Sequence, residues 1–176
     1  MERCGHIASA AAMTRGKSAR FERRRTAIVT SAVKAINRKG VKGMTLADVA
    51  AELDIVPTGI IYYFKNKEEL AETCFLVGID QFNLLIERGL SGGGVRERIG
   101  AFNQAYFDFR RAVALDETAN IAVFNDVRAL NRGAVNAAYV DMFRRARRLF
   151  EVPGPLQLSR LDCNTRAHFL LSQAFW

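Results

Sequence analysis

The sequence predicts an all-α protein. Three observations carry this: apolar residues recur at helical spacing in one segment after another, capping residues stand where those segments begin, and no stretch alternates polar and apolar residues as a half-buried strand does. At 176 residues the chain is long enough to bury a core without disulfides or metal. Its 49% hydrophobic and 25% charged residues are those of a globular protein, which excludes wholesale disorder. No apolar run approaches the roughly 18–20 residues that span a bilayer, so no membrane partner is expected.

Residues 1–18 read as a flexible basic lead. The small-residue run at 7–13 is too short and too weakly hydrophobic for a secretory signal, and Met13 is a candidate biological start. The first helix is predicted over about residues 20–39, with Ile28, Val29, Ala32, Val33 and Ile36 on one face and Gly40 as its stop. Thr45-x-x-Asp48 has the form of a capping box and opens a second helix over 45–53, striped by Leu46, Val49, Ala50 and Leu53. Asp54 and Ile55 break it. Pro57, with its φ pre-set and no N–H to satisfy, suits the first turn of a third helix running to about Phe64.

Asn66, with Glu69 three residues on, caps a long helix from Lys67 to about Arg88 whose apolar positions include Leu70, Cys74, Val77, Phe82, Leu85 and Ile86. The run Ser91, Gly92, Gly93, Gly94 is a linker. Four further helices are predicted over about 95–114, 117–129, 132–150 and from 156 onward, with breaks at Asp116, at 131–133 and at 152–155. The domain division that follows is a lead over 1–18, a three-helix unit over 19–66 and a helical domain over 67–176.

Charge is concentrated at one end. Residues 1–44 hold eleven Lys or Arg against Glu2 and Glu22, a net of +9, whereas residues 45–176 hold fifteen against sixteen, a net of −1. A basic segment on a nearly neutral body is an electrostatic footprint for phosphates or an acidic surface, or else a solvated arm. The three cysteines, Cys4, Cys74 and Cys163, are far apart and form no C-x-x-C pair, so neither a disulfide framework nor a thiolate zinc site is indicated and a reducing, cytoplasmic setting is expected.

Two short helices separated by a tight break and preceded by a basic helix have the dimensions of a helix-turn-helix. In such a unit one helix braces across the phosphate backbone and the next presents its early side chains to base edges in the major groove. The string TLADVAAELDIVPTGIIYYFKNKEEL, residues 45–70, resembles the DNA-binding motif of the TetR family of bacterial transcriptional regulators. The resemblance rests on the Thr-capped second helix, the apolar turn, the Tyr-Tyr-Phe that closes a short recognition helix and the Lys-x-Lys-Glu-Glu-Leu that opens the next. It covers about 45 residues, from near Arg25 to Leu70.

The resemblance implies a role for each of these positions. Thr45 caps the second helix and presents its hydroxyl and early N–H groups to a phosphate. Pro57, Thr58 and Gly59 occupy the start of the recognition helix where base edges are met, and Thr58 offers a hydroxyl and a methyl. Tyr62 and Tyr63 stand on the groove side of its last turn within reach of phosphate, although Tyr63 equally suits packing between the two domains. Ile61 stands where the family has an aromatic residue facing DNA and suits an apolar contact to a thymine methyl, while Ile60 and Phe64 read as core. Lys67 neutralises a further phosphate, and the basic arm of Lys17, Arg20, Arg23, Arg24 and Arg25 adds phosphate or minor-groove contacts.

The chain departs from the family pattern in three places. Asp54 replaces the small residue usual at the turn, and Asp tolerates the left-handed conformation required there. Val56 leaves the recognition helix without a polar cap. Ala47 and Gly59 are too short for bidentate base recognition, so direct readout is thin, which implies either modest specificity or reliance on DNA shape.

For the remainder, the resemblance implies a helical ligand-binding and dimerisation domain, a homodimer on double-stranded DNA and a small-molecule effector of unknown identity. Its aromatic residues, Phe102, Phe109, Phe124 and Tyr139 among them, read individually as core. Arg144, Arg145, Arg147 and Arg148 read as a solvated face paired with carboxylates, and His168 as an interface or core histidine. The last helix stops at Trp176 in mid-pattern without a cap, so the chain is expected to be C-terminally truncated, with weakened dimerisation and an exposed patch at 175–176.

With His6 and His168 as its two histidines, no G-x-S-x-G and no phosphate-binding glycine loop, the sequence assembles no catalytic set, and neither an enzyme nor a cofactor is expected. The reading is a ligand-responsive, sequence-specific transcriptional regulator, a repressor on a pseudo-palindromic operator. The alternative is a helical small-molecule-binding or protein-interaction module without productive DNA binding.

Overall fold

The computed structural model describes residues 4–122, 124, 132–152 and 158–174, with side chains from Ser18 to Ser172 within those ranges. Its helices are α1 (Cys4–Gly43), α2 (Leu46–Glu52), α3 (Pro57–Ile61), α4 (Lys67–Leu90), α5 (Val95–Ala114), α6 (Gly133–Arg147) with a 3₁₀ turn at Arg148–Phe150, and α7 (Arg160–Ala174). Among the described residues there is no strand.

α1, α2, α3 and the start of α4 form a head. Ile28, Ala32, Val33 and Ile36 of α1 turn their shared face inward and meet Val49 and Ala50 of α2, Ile60 of α3, Phe64, and Leu70 and Cys74 of α4, all buried. The predicted stop at Gly40 is present as a break inside α1, where Gly40 takes φ 70°, ψ 168° before one more turn leads to Met44. The left-handed turn at Asp54 is present as well, at φ 52°, with Ile55 N–H donating to Ala50 O at 3.0 Å.

The body is laid on α4, which packs along α5 and α6. A close approach falls at Gly89, where a β-carbon would stand 2.8 Å from Leu149 Cδ2 and 3.0 Å from the Arg98 carbonyl, so glycine lets these elements meet. Arg98 fastens the same corner: Nε donates to Gly92 O at 3.2 Å, and Nη1 to Arg148 O at 3.2 Å and Glu151 O at 2.8 Å. Of the arginine run on α6, Arg145 pairs with Glu87 and Arg147 with Glu151, as a solvated, carboxylate-matched face should.

The structure departs from the sequence reading in four places. Residues 4–18, read as a flexible lead, are helical and continue α1 backward, in keeping with the high helix propensity of the alanines in this stretch. The helix expected over 117–129 is not formed at 117–122. Asp116 turns left-handed at φ 58°, and the Asn120 side chain accepts from the N–H of Ile121, a local bond that competes with the helical one; residues 125–129 lie outside the described residues. The last helix, expected from about 156, begins at Arg160: residues 156 and 157 lie outside the described residues, residues 158 and 159 are not helical, and Ser159 Oγ accepts from Asp162 N–H at 3.1 Å and so caps it. Of the two readings of His168, interface or core, the core one does not hold: the residue is exposed, with its ring 4.2 Å from that of Phe143. Phe175 and Trp176 lie outside the described residues.

Candidate nucleic-acid interface

The predicted capping box is complete. Thr45 Oγ1 accepts from Asp48 N–H and Asp48 Oδ2 accepts from Thr45 N–H, both at 3.1 Å. Lys39 Nζ adds a bond to Asp48 Oδ1 at 2.8 Å, and these bonds, from Lys39 first and then Thr45, hold the Asp48 carboxyl below its ordinary pKa. The hydroxyl oxygen of Thr45 is thereby engaged at the exposed entrance of α2, and its O–H is left to donate outward.

α3 starts without a side-chain cap and with Pro57 in its first turn. Ile60 is fully buried and Phe64 nearly so, which turns the opposite face outward: Pro57 and Thr58 are exposed, Val56 is 66% exposed, Ile61 51% and Tyr62 75%. Gly59 is half-buried and has room for a side chain, its nearest would-be neighbour being Ile55 Cδ1 at 3.9 Å. A short helix of this kind, apolar on the inner side and studded outside with a proline, a threonine, an isoleucine and a tyrosine, has no reason within the protein to expose so much apolar surface.

The basic residues divide into two groups. On the C-terminal half of α1, Lys34 and Arg38 pair with Glu52 and Lys39 with Asp48. Burial raises the Glu52 pKa, but the bond and charge of Lys34, the bond from Ser31 and the charge of Arg38 outweigh it and hold the carboxyl below its ordinary value. On the N-terminal half, Arg20, Arg23 and Arg24 follow i, i+3, i+4 and line one groove of about 460 Å³ with Ala27 and Tyr63. Among the described residues none of these three guanidiniums has an ion-pair partner.

Two candidates sit differently from the sequence expectation. Arg25 leaves this groove: its guanidinium carbon lies 4.9 Å from the centre of the Phe64 ring. Lys67 donates through Nζ to the carbonyl of Lys42 at 2.8 Å, tying the first turn of α4 to the end of α1 with one of its three N–H donors. Asn66 Oδ1 caps α4 as expected, accepting from Glu69 N–H at 2.8 Å, whereas the Glu69 carboxylate reaches back to Lys65 N–H rather than to the cap residue.

Sequence reasoning missed Phe21. Its ring is 4.8 Å from that of Tyr63 and 5.9 Å from that of Tyr62, and the two tyrosine rings meet edge to face at 5.1 Å. The available signal was the spacing Phe21, Arg25, Ile28, i, i+4, i+7 on α1, which extends the inward face of that helix further back than the aliphatic stripe alone.

Residues 28–74 match the family model of bacterial regulatory proteins of the tetR family. The head is the part of the chain that resembles this family. Over most of its length the chain has the fold of solved regulators of that kind: a TetR family transcriptional regulator, PfmR from Thermus thermophilus, superposes with a TM-score of 0.59 at 17% identity, covering 85% of this chain and 82% of that one. Apo AibR superposes with a TM-score of 0.57 at 17% identity, covering 86% and 84%. No curated protein sequence matches the chain. A TetR-type head on an all-helical body supports a DNA-binding transcriptional regulator and points away from an enzyme. Among the described residues no helix is long and apolar enough to cross a membrane.

Proposed function

We propose that the protein is a ligand-responsive, sequence-specific transcriptional regulator that binds double-stranded DNA as a homodimer and acts as a repressor. The observation that carries the reading is the pairing of an apolar, outward-facing recognition helix with three arginines around Tyr63 that have no ion-pair partner among the described residues. In this reading Pro57, Thr58, Gly59 and Ile61 enter the major groove, where Thr58 and Ile61 meet thymine methyls and the close approach allowed by Gly59 favours shape over bidentate readout. Thr45, Tyr62, Tyr63, Lys67, Arg20, Arg23 and Arg24 hold backbone phosphates, and Arg25 supports them through Phe64.

Two heads in one dimer would sit about 34–36 Å apart, on successive major grooves of a pseudo-palindromic operator. The helical body that follows α4 supplies the dimer contact and the effector site, and an effector acts by favouring one spacing of the heads over another.

The test is selection of duplexes from a random library by the full-length protein, followed by molar-mass measurement of the complex. Enrichment of an inverted repeat with half-sites one helical turn apart, bound by two chains, is expected. Enrichment of no motif by a protein that is dimeric in solution would favour a small-molecule-binding or protein-interaction module instead.

A further inference from the structure

We infer that Phe21 is a positioning residue of the DNA interface, holding the phenols of Tyr62 and Tyr63 beside Arg20, Arg23 and Arg24 so that α1 and the end of α3 form one seat for backbone phosphates. The inference rests on the reading of the head as a DNA-binding element.

Tyr62 is 75% exposed, and an aromatic side chain so placed ordinarily samples several rotamers. Here it is not left alone. Phe21 meets Tyr62 edge-on at 5.9 Å and Tyr63 at 4.8 Å, and the tyrosines meet each other at 5.1 Å, so each ring of the trio is braced by two others. One turn further along α1, the Arg25 guanidinium lies over the Phe64 ring, so α1 grips three successive aromatic residues after α3 with two side chains four residues apart.

The adjoining face of α1 carries Arg20, Arg23 and Arg24, and Tyr63 lines the same groove. Phe21 therefore braces Tyr63, which lines the groove with the three cations, and Tyr62, which packs against Tyr63. A phenol O–H donates to a phosphate oxygen, and a donor already held in place loses less rotamer entropy on binding than a free one.

The test is anisotropy of a labelled duplex selected by the full-length wild-type protein, measured with Phe21→Ala, Phe21→Leu and Phe21→Tyr. The same Phe21→Ala change is also made in a background with Tyr62→Phe and Tyr63→Phe. Phe21→Ala is expected to weaken binding by roughly two- to tenfold on selected and scrambled duplexes alike, and Phe21→Tyr to restore it. In the background lacking both hydroxyls, Phe21→Ala should cost nothing more, because the groups it positions are gone.

Equal losses with and without the hydroxyls, or undiminished affinity of Phe21→Ala, would overturn the inference while leaving the DNA-binding reading intact. Failure of the wild type to bind any duplex would overturn both. Should Phe21→Ala lose its thermal unfolding transition, Phe21→Tyr against Phe21→Leu makes the same comparison, ring kept against ring lost.

Discussion

Asn37 Nδ2 donates to the carbonyl oxygen of Ile121 at 2.9 Å, joining the head to the body across 84 residues of chain. The carbonyl belongs to the non-helical stretch that follows α5. That stretch rests on α4 at Gly78, where a β-carbon would meet Ile121 Cβ and Phe124 Cζ at 3.5 Å, and Phe124 packs against Phe75 and Phe82. A movement of this stretch is therefore felt by α1 and α4 together.

Replacing Asn37 by Ala removes the donor and leaves a partly buried carbonyl without it. A loss of about 1 kcal/mol is expected in chemical denaturation, with amide exchange accelerated more in α1 than elsewhere. An unchanged midpoint together with unchanged exchange in α1 would show that the bond does not tie the two parts.

Gly59 separates folding from binding. The space beside it accepts a methyl group, and alanine favours helix over glycine by about 1 kcal/mol, so Gly59→Ala should fold at least as stably as the wild type. If the start of α3 closes on DNA, the added methyl occupies the approach, and affinity should fall about tenfold or more while the melting temperature holds or rises. Retained affinity would move the contact away from this position.

Asp54 carries a conformational cost that glycine would relieve. At φ 52° an L side chain is disfavoured, and Asp54→Gly should stabilise the head by roughly 1 kcal/mol in thermal unfolding. A lower melting temperature would mean that the aspartate side chain contributes more to the turn than its backbone strain takes away.

The capping box gives a pH signature. Bonds from Lys39 and Thr45 lower the Asp48 pKa in the folded state from an ordinary value of 3.8, so the stabilisation is complete above that value and is lost as pH falls through the lower folded value. Thr45→Ala should cost about 1 kcal/mol at neutral pH. Melting temperatures of wild type and Asp48→Asn should differ at neutral pH and converge in the acid range below 3.8. A constant difference across that range would exclude the carboxylate as the titrating group.

What was legible in the sequence was local. The Thr45 and Asn66 caps, the Pro57 start, the left-handed Asp54 and the turn at 91–94 each depend on side chains within a few residues, and each is present. The stripes on α1 and α4 were readable because burial of one helix face imposes a period. What escaped depends on distant partners or on competition. The tie from Lys67 to Lys42 spans 25 residues, the aromatic trio joins Phe21 to a segment about forty residues on, and the sorting of α1 cations depends on where Glu52 and Asp48 fall. The stretch at 117–122 looked helical by composition, but Asn120 offers its own backbone a local alternative.

The most direct test of the central claim is the salt dependence of duplex binding for the wild type and single-residue variants. Each phosphate neutralised contributes about 0.9 to the slope of log affinity against log salt. Arg23→Ala and Arg24→Ala should each flatten the slope by about that amount, on specific and scrambled duplexes alike. Lys34→Ala should leave it unchanged, because Lys34 is already paired with Glu52. Binding that is indifferent to salt, or one slope shared by all four proteins, would contradict the assignment of the Arg20, Arg23, Arg24 and Tyr63 groove to the DNA backbone.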